Sequence, residues 1–182
     1  MRFQPTDIPD VVLIEPDIYG DDRGYFMQTY HYRDFAEAGI ASQLVQDNYS
    51  GSRQGTLRGL HYQIQQPQGK LVRVVIGEIF DVAVDLRRSS STFGKHVATI
   101  LTAENKQQLW IPEGFAHGFY VISEWAEFSY KTSNYYSPQW ERTLLWSDPV
   151  VGIEWPFLDD LPLILAPKDT LGKTLDQAEI YH

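Results

Sequence analysis

The sequence predicts an all-β chain, a sandwich or jelly roll with a cupped interior and few helices. Three observations carry this: short runs rich in β-branched and aromatic residues recur, turn or polar residues separate them, and only one stretch has clear helical character. In order, the expected strands are "VVLIEP" (11–16), "GYFMQTY" (24–30), "TLRGLHYQ" (56–63), "KLVRVVIG" (70–77), "IFDVAVDL" (79–86), "HVATILT" (96–102), "FAHGFYVI" (115–122), "AEFSYKT" (126–132) and "RTLLW" (142–146). The helix is "YRDFAEAGI" (32–40), closed by Gly39, and the tail around "KTLDQAEI" suggests a short turn. Nine strands in a chain of 182 residues imply two packed layers around one core. No linker, low-complexity tract or internal repeat divides the chain, so residues 1–182 are expected to form a single domain.

Alternation inside two strands already points to a polar interior. In "IFDVAVDLR", Phe80, Val82, Val84 and Leu86 share one face, while Asp81, Ala83 and Asp85 share the other. One face is expected to pack and the other to carry carboxylates. "FAHGFYV" places Phe115, His117, Phe119 and Val121 together, so His117 looks inward among aromatics. Such inward polar groups need partners or a wet cavity.

Composition narrows the functions. A net charge of −9 and a pI near 4.9 argue against a nucleic-acid surface, so an anionic ligand must be met by a local basic patch. The chain has no cysteine, which excludes disulfides, thiolate catalysis and cysteine-ligated zinc. The opening "MRFQPTDIPD" lacks an apolar signal core and no run approaches membrane-spanning length, so a cytoplasmic protein without a membrane partner is expected.

The basic patch is visible as a gap in the acids. From Asn48 to Gly77 thirty residues pass without Asp or Glu, although 24 acids in 182 residues would put about four there by even spreading. The same window holds Arg53, Arg58, Lys70, Arg73 and His61. It reads either as a solvated sheet edge or as the wall of a cavity for an anion such as a diphosphate. Strand parity bears on the choice. Arg58 and His61, three apart, face one site only if Gly59 bulges, or if Arg58 serves a neighbouring subunit. A metal reading competes: "IPEGFAHG" resembles the second half of a metal-binding cupin motif, but "LHYQ" offers Gln63 where a second His should stand, so no metal is expected.

Taken in order, "DDRGYF" (21–26), "QDNYSGS" (46–52), "LRGLHYQ" (57–63), "QGKLVRV" (68–74), "GEIFDVAVDLR" (77–87), "STFGKH" (91–96), "IPEGFAHGFYV" (111–121), "YKTSNYYSP" (130–138), "WSDP" (146–149) and "KD" (168–169) resemble the dTDP-4-dehydrorhamnose 3,5-epimerase family over nearly the whole chain. The resemblance implies a cupin-like jelly roll that needs no metal or other cofactor. It also implies a homodimer with exchanged strands, acting on a dTDP-4-keto-6-deoxyhexose. The diphosphate of such a substrate accounts for the acid-free window.

The chemistry that the resemblance implies is proton transfer. A C4 ketone acidifies the hydrogens on C3 and C5, so epimerisation requires a base on one face, stabilisation of the C4 enolate and an acid on the other face. By resemblance His61 is the base, Asp169 orients it, Lys70 holds positive charge near the C4 oxygen, and Tyr130 is the proton donor. Asp81 and Asp85 compete with Asp169 for His61, their alternative being backbone or Arg partners. Arg23 and Arg58 are expected on the diphosphate, Gln46 and Asn48 on the nucleotide, and Phe26 against the base or sugar. His117, Glu141 and Lys168 match substrate-contact positions. Gln28 stands where the family commonly has Glu, which keeps a hydrogen-bonding side chain but loses the charge, and this bears on recognition of the thymine edge or on the sugar preference. Three rivals remain: an epimerase of C3 alone, a metal-dependent cupin enzyme, and a nucleotide-sugar-binding protein without catalysis.

Overall fold

The computed structural model describes residues 1–182. In chain order its strands are β1 (Arg2–Pro5), β2 (Val12–Glu15), β3 (Ile18–Asp21), β4 (Gly24–Met27), β5 (Gln46–Arg53), β6 (Leu57–Gln63), β7 (Lys70–Ile76), β8 (Glu78–Asp85), β9 (His96–Thr102), β10 (Gln108–Ile111), β11 (Phe115–Val121), β12 (Trp125–Thr132) and β13 (Glu141–Thr143). A helix, α1 (Tyr32–Glu37), precedes β5, and a single turn, α2 (Pro167–Thr170), lies near the C-terminus. One sheet has the order β1-β2-β10-β7-β12-β5, the second β13-β6-β11-β8-β9, and β3 and β4 form a separate hairpin. All these pairings are antiparallel, giving the expected cupin-like jelly roll.

The sheets face each other across a core that includes Val72, Val74, Leu109 and Phe128 from the first and Ile79, Ala83, Phe115 and Phe119 from the second. A second core lies on the far side of the second sheet. There the chain beyond β13 runs as a belt, laying Val151, Trp155, Leu163, Leu165 and Tyr181 over Leu57, Leu60, Val82, Val84 and Leu86. Asp148 staples that belt: one carboxylate oxygen accepts the N–H groups of Val150 and Val151 at 2.7 and 3.0 Å, the other that of Leu175 at 2.6 Å. A third cluster, Phe35 and Ile40 against Ile14, Leu71 and Trp110, seats α1 on the outer face of the first sheet.

The belt corrects the reading of β8. Both faces of that strand are buried: Val82, Val84 and Leu86 pack under the belt, while Asp81 and Asp85 point between the sheets with no exposure. Asp85 finds Arg87, which it holds at 2.7 Å, and the hydroxyl of Thr92 at 2.7 Å. Asp81 instead holds His117, at 2.9 and 3.1 Å.

Four strands were not expected, namely β1, β3, β5 and β10. The run at 24–30 shortens to β4, which lies in the hairpin rather than a main sheet, and the run at 142–146 yields only β13 before the chain turns into the belt. The helix expected at 32–40 forms over Tyr32–Glu37 with Ala38 as its cap, and the chain leaves it through Gly39, whose φ of 88° only glycine adopts without strain. In the tail, the N–H groups of Gln177 and Ala178 close a turn on the Thr174 carbonyl.

Candidate active site

A cavity of about 840 Å³ opens at one end of the space between the sheets. Ten of the thirteen residues singled out from sequence line it: Gln46, Asn48, Arg58, His61, Lys70, His117, Tyr130, Glu141, Lys168 and Asp169. The parity problem of Arg58 and His61 is solved by a bulge. Opposite β11, His61 pairs with His117 and Arg58 with Phe119, so three steps along β6 match two along β11 and both side chains face the cavity. Gly59 makes this possible, at a φ of 125° and so close to β11 that a Cβ would lie 2.5 Å from the Gly118 Cα.

His61 is half-buried in the cavity wall, and its Nε2–H donates to Asp169 Oδ1 at 2.6 Å. Asp169 is 1% exposed, and its Oδ2 has no partner, so the whole hydrogen bonding of that side chain goes to His61. The belt delivers it: Ile164 exchanges backbone hydrogen bonds with Gly55 and Leu57 at the start of β6, and Pro167 opens α2 three residues later. With Nε2 committed to Asp169, the Nδ1 lone pair of His61 is left to accept a proton.

Lys70 is buried at the first position of β7 and donates to the His61 carbonyl at 3.2 Å. Burial pushes its ammonium down to about 8, against the opposing charge of Asp81. Burial also lowers the pKa of His117, whose ring stacks on Phe128 at 6.0 Å. Tyr130 packs beside Phe128, burial raises the pKa of its hydroxyl, and that hydroxyl makes no hydrogen bond within the chain. Arg58 is anchored through Nε to the Ser52 hydroxyl at 3.0 Å, leaving guanidinium donors for a ligand. Gln46 and Asn48 hold each other at 2.9 Å, and Lys168 pairs with Glu141 at 3.0 Å.

Three residues are not brought to this cavity. Arg23, Phe26 and Gln28 lie on or just after the β3–β4 hairpin, where Arg23 pairs with Asp21 at 2.5 Å, Phe26 is 69% exposed and Gln28 is exposed. Of the acid-free window, Arg53, Arg58, His61 and Lys70 line the cavity, whereas Arg73 does not. Sequence reasoning also missed Tyr136, whose hydroxyl reaches Glu141 at 3.3 Å, and Gly118, which faces the bulge. The tyrosine pair of "YKTSNYYSP" was the available signal for Tyr136. No group of three His, Cys, Asp or Glu side chains converges as metal ligands; His61 and His117 each bind their own carboxylate, and Gln63 turns to Ser137 and Gln66 instead.

Comparisons with known proteins show the family. A family model described as dTDP-4-dehydrorhamnose 3,5-epimerase matches residues 5–177. A protein of that name from Pseudomonas aeruginosa is 57% identical over 182 residues, covering 100% of this chain and 99% of that one. The crystal structure of a dTDP-6-deoxy-D-glucose-3,5-epimerase from Legionella pneumophila in complex with dTDP-4-keto-L-rhamnose superposes with a TM-score of 0.95 at 49% identity, covering 98% of this chain and 94% of that one. A 3′-monoepimerase from Streptomyces bikiniensis in complex with dTDP-quinovose superposes with a TM-score of 0.87 at 31% identity, covering 94% and 87%. The chain therefore belongs to the dTDP-4-dehydrorhamnose 3,5-epimerase family.

Proposed function

We propose that this chain converts dTDP-4-keto-6-deoxy-D-glucose to dTDP-4-keto-L-rhamnose by inverting C3 and C5. The observation that carries the reading is one cavity holding a carboxylate-backed histidine, a buried lysine and a tyrosine with a free hydroxyl. His61 Nδ1 takes the proton as the C–H bond breaks, and the electron pair moves onto the C4 oxygen. Lys70 stabilises that enolate, and Tyr130 returns a proton to the opposite face of the carbon. Asp169 holds the imidazolium that forms. No electron is gained or lost overall, so the chemistry requires no redox cofactor. Arg58 meets the diphosphate, Gln46 and Asn48 meet the nucleotide, and His117, Glu141 and Lys168 meet the sugar.

The remaining three residues support a homodimer with exchanged strands. Tyr19, Tyr25 and Phe26 expose 65, 60 and 69% of their surface on a two-stranded hairpin, a large apolar area for a hairpin to leave in water. β5 is an outer strand whose inward residues line the cavity, and its far edge is unpaired. Adding the partner's β4 at that edge would bring the partner subunit's Arg23, Phe26 and Gln28 to the nucleotide end of the site. In this reading residues 1–182 work as one cytoplasmic domain, and no helix in it is long and apolar enough to cross a membrane.

The test is NMR of the protein with dTDP-4-keto-6-deoxyglucose in deuterated water, with and without chelator. Deuterium at C3 and C5 regardless of chelator is the expected result. Exchange at C3 alone would select the narrower reaction named for the Streptomyces bikiniensis relative, and none at either carbon would overturn the reading.

A further inference from the structure

Below the cavity lies a charge that the mechanism above leaves unused. Asp81 has no exposure, and its only hydrogen-bond partner in the chain is Nε2 of His117. A carboxylate removed from water is costly unless a positive charge or several donors compensate it, and one imidazole N–H is little compensation. Lys70, on the facing sheet, has the complementary shortage. It is buried, forms no ion pair, and gives its ammonium a single acceptor, the His61 carbonyl.

We propose that Asp81 is a positioning residue of this site, acting through space to keep Lys70 in its ammonium form and through its hydrogen bond to fix His117 with Nε2–H turned inward and Nδ1 toward the substrate. The inference rests on the reading of Lys70 as the cation that stabilises the enolate. The groups around Lys70 come from every neighbouring element. Asp81 on β8 and Glu141 on β13 favour its charge, Lys168 on α2 opposes it, and His61, His117 and Tyr130 complete the surroundings. Among the charges Asp81 is the strongest support, working against burial, which holds the ammonium down to about 8. Burial keeps His117 neutral near pH 7, so its single ring proton sits on the nitrogen that meets Asp81. One buried carboxylate thus sets both the charge that meets the developing enolate and the tautomer that meets the sugar.

The test is Asp81→Asn, which keeps the size and the acceptor for His117 but removes the charge. In the wild type, kcat/KM for hydrogen exchange at C3 should fall along an alkaline limb near pH 8. In the variant that limb should move down by about one pH unit, the low end of what a neighbouring opposite charge contributes. Affinity for dTDP, measured by calorimetry, should stay within about two-fold. A folded variant with its alkaline limb in the wild-type position overturns the proposal. Should the variant not fold, the paired change Asp81→Leu with His117→Phe removes the charge and its hydrogen-bond partner together, so that neither is left buried without the other. Titration of the Lys70 ammonium by ¹⁵N NMR then decides: a lower midpoint than wild type supports the proposal, and an equal one ends it. The same titration separates the two readings, because a wild type without hydrogen exchange refutes the epimerase while leaving the Lys70 midpoint to judge Asp81.

Discussion

Replacing Lys70 by Met should stabilise the protein and nearly abolish turnover. Burial has moved the Lys70 ammonium from the usual 10.5 to about 8, and at 1.36 kcal/mol per unit this gap means that keeping it charged costs the fold about 3 kcal/mol at neutral pH. Met fills similar volume without that cost, while loss of the hydrogen bond to the His61 carbonyl returns about 1 kcal/mol. A net gain of about 2 kcal/mol corresponds to a rise of roughly 4–8 °C in Tm for a chain of this size. The sign follows from the depressed value. Below about pH 8 the folded lysine is protonated at full cost, and between 8 and 10.5 it releases its proton before the unfolded chain does, so the wild type gains stability there. The advantage of the variant should therefore be largest at pH 7 and shrink toward pH 10. Turnover should drop by about 10²–10³, the usual loss when one donor to a developing oxyanion is removed. Thermal melts at the two pH values and deuterium exchange at C3 read both effects. A lower Tm at pH 7, or an advantage that does not shrink at high pH, would refute the argument that Lys70 is held charged against its burial.

Three further changes probe other parts of the site. Asp169→Asn leaves the 2.6 Å contact with His61 in place but removes the charge that faces the imidazolium; kcat should fall by about 10²–10³ with dTDP affinity retained, and a rate within about two-fold of wild type would remove Asp169 from the mechanism. Gly118→Ala places a Cβ 2.6 Å from the Arg58 carbonyl oxygen and 2.9 Å from Leu60, so the bulge must shift; a loss of about 1–3 kcal/mol in denaturant unfolding should accompany reduced turnover, and full activity would show that the bulge does not set the position of His61. Phe26→Asp puts a charge on the exposed hairpin; light scattering should give a monomer with weak activity, and a fully active dimer would refute strand exchange through β4.

What the sequence concealed has a pattern. The strands legible as strands, β6 to β9, β11 and β12, owe their β-branched and aromatic residues to packing in the core on one or both faces. β5 escaped because "QDNYSGSR" turns Gln46, Asn48, Ser50 and Ser52 into the cavity, where a polar ligand replaces the apolar partner that an alternating pattern would reveal. The single turn of α2 escaped for a related reason. Four residues of "PKDT" have no helical period to show, and Asp169 is held by the belt and by His61 rather than by helix propensity. The bulge was legible only as a condition, since parity allowed Arg58 and His61 to meet if Gly59 yielded, and it does. The carboxylates of β8 were legible as inward-facing but not as fully buried, because the belt that covers the other face of that strand comes from sixty residues or more further along the chain. Local rules therefore read this chain well where the core determines the residue and poorly where a ligand, the belt or a second subunit does. That boundary runs along the cavity wall, which is where a protein that binds an anion is expected to depart from the patterns that packing alone would write.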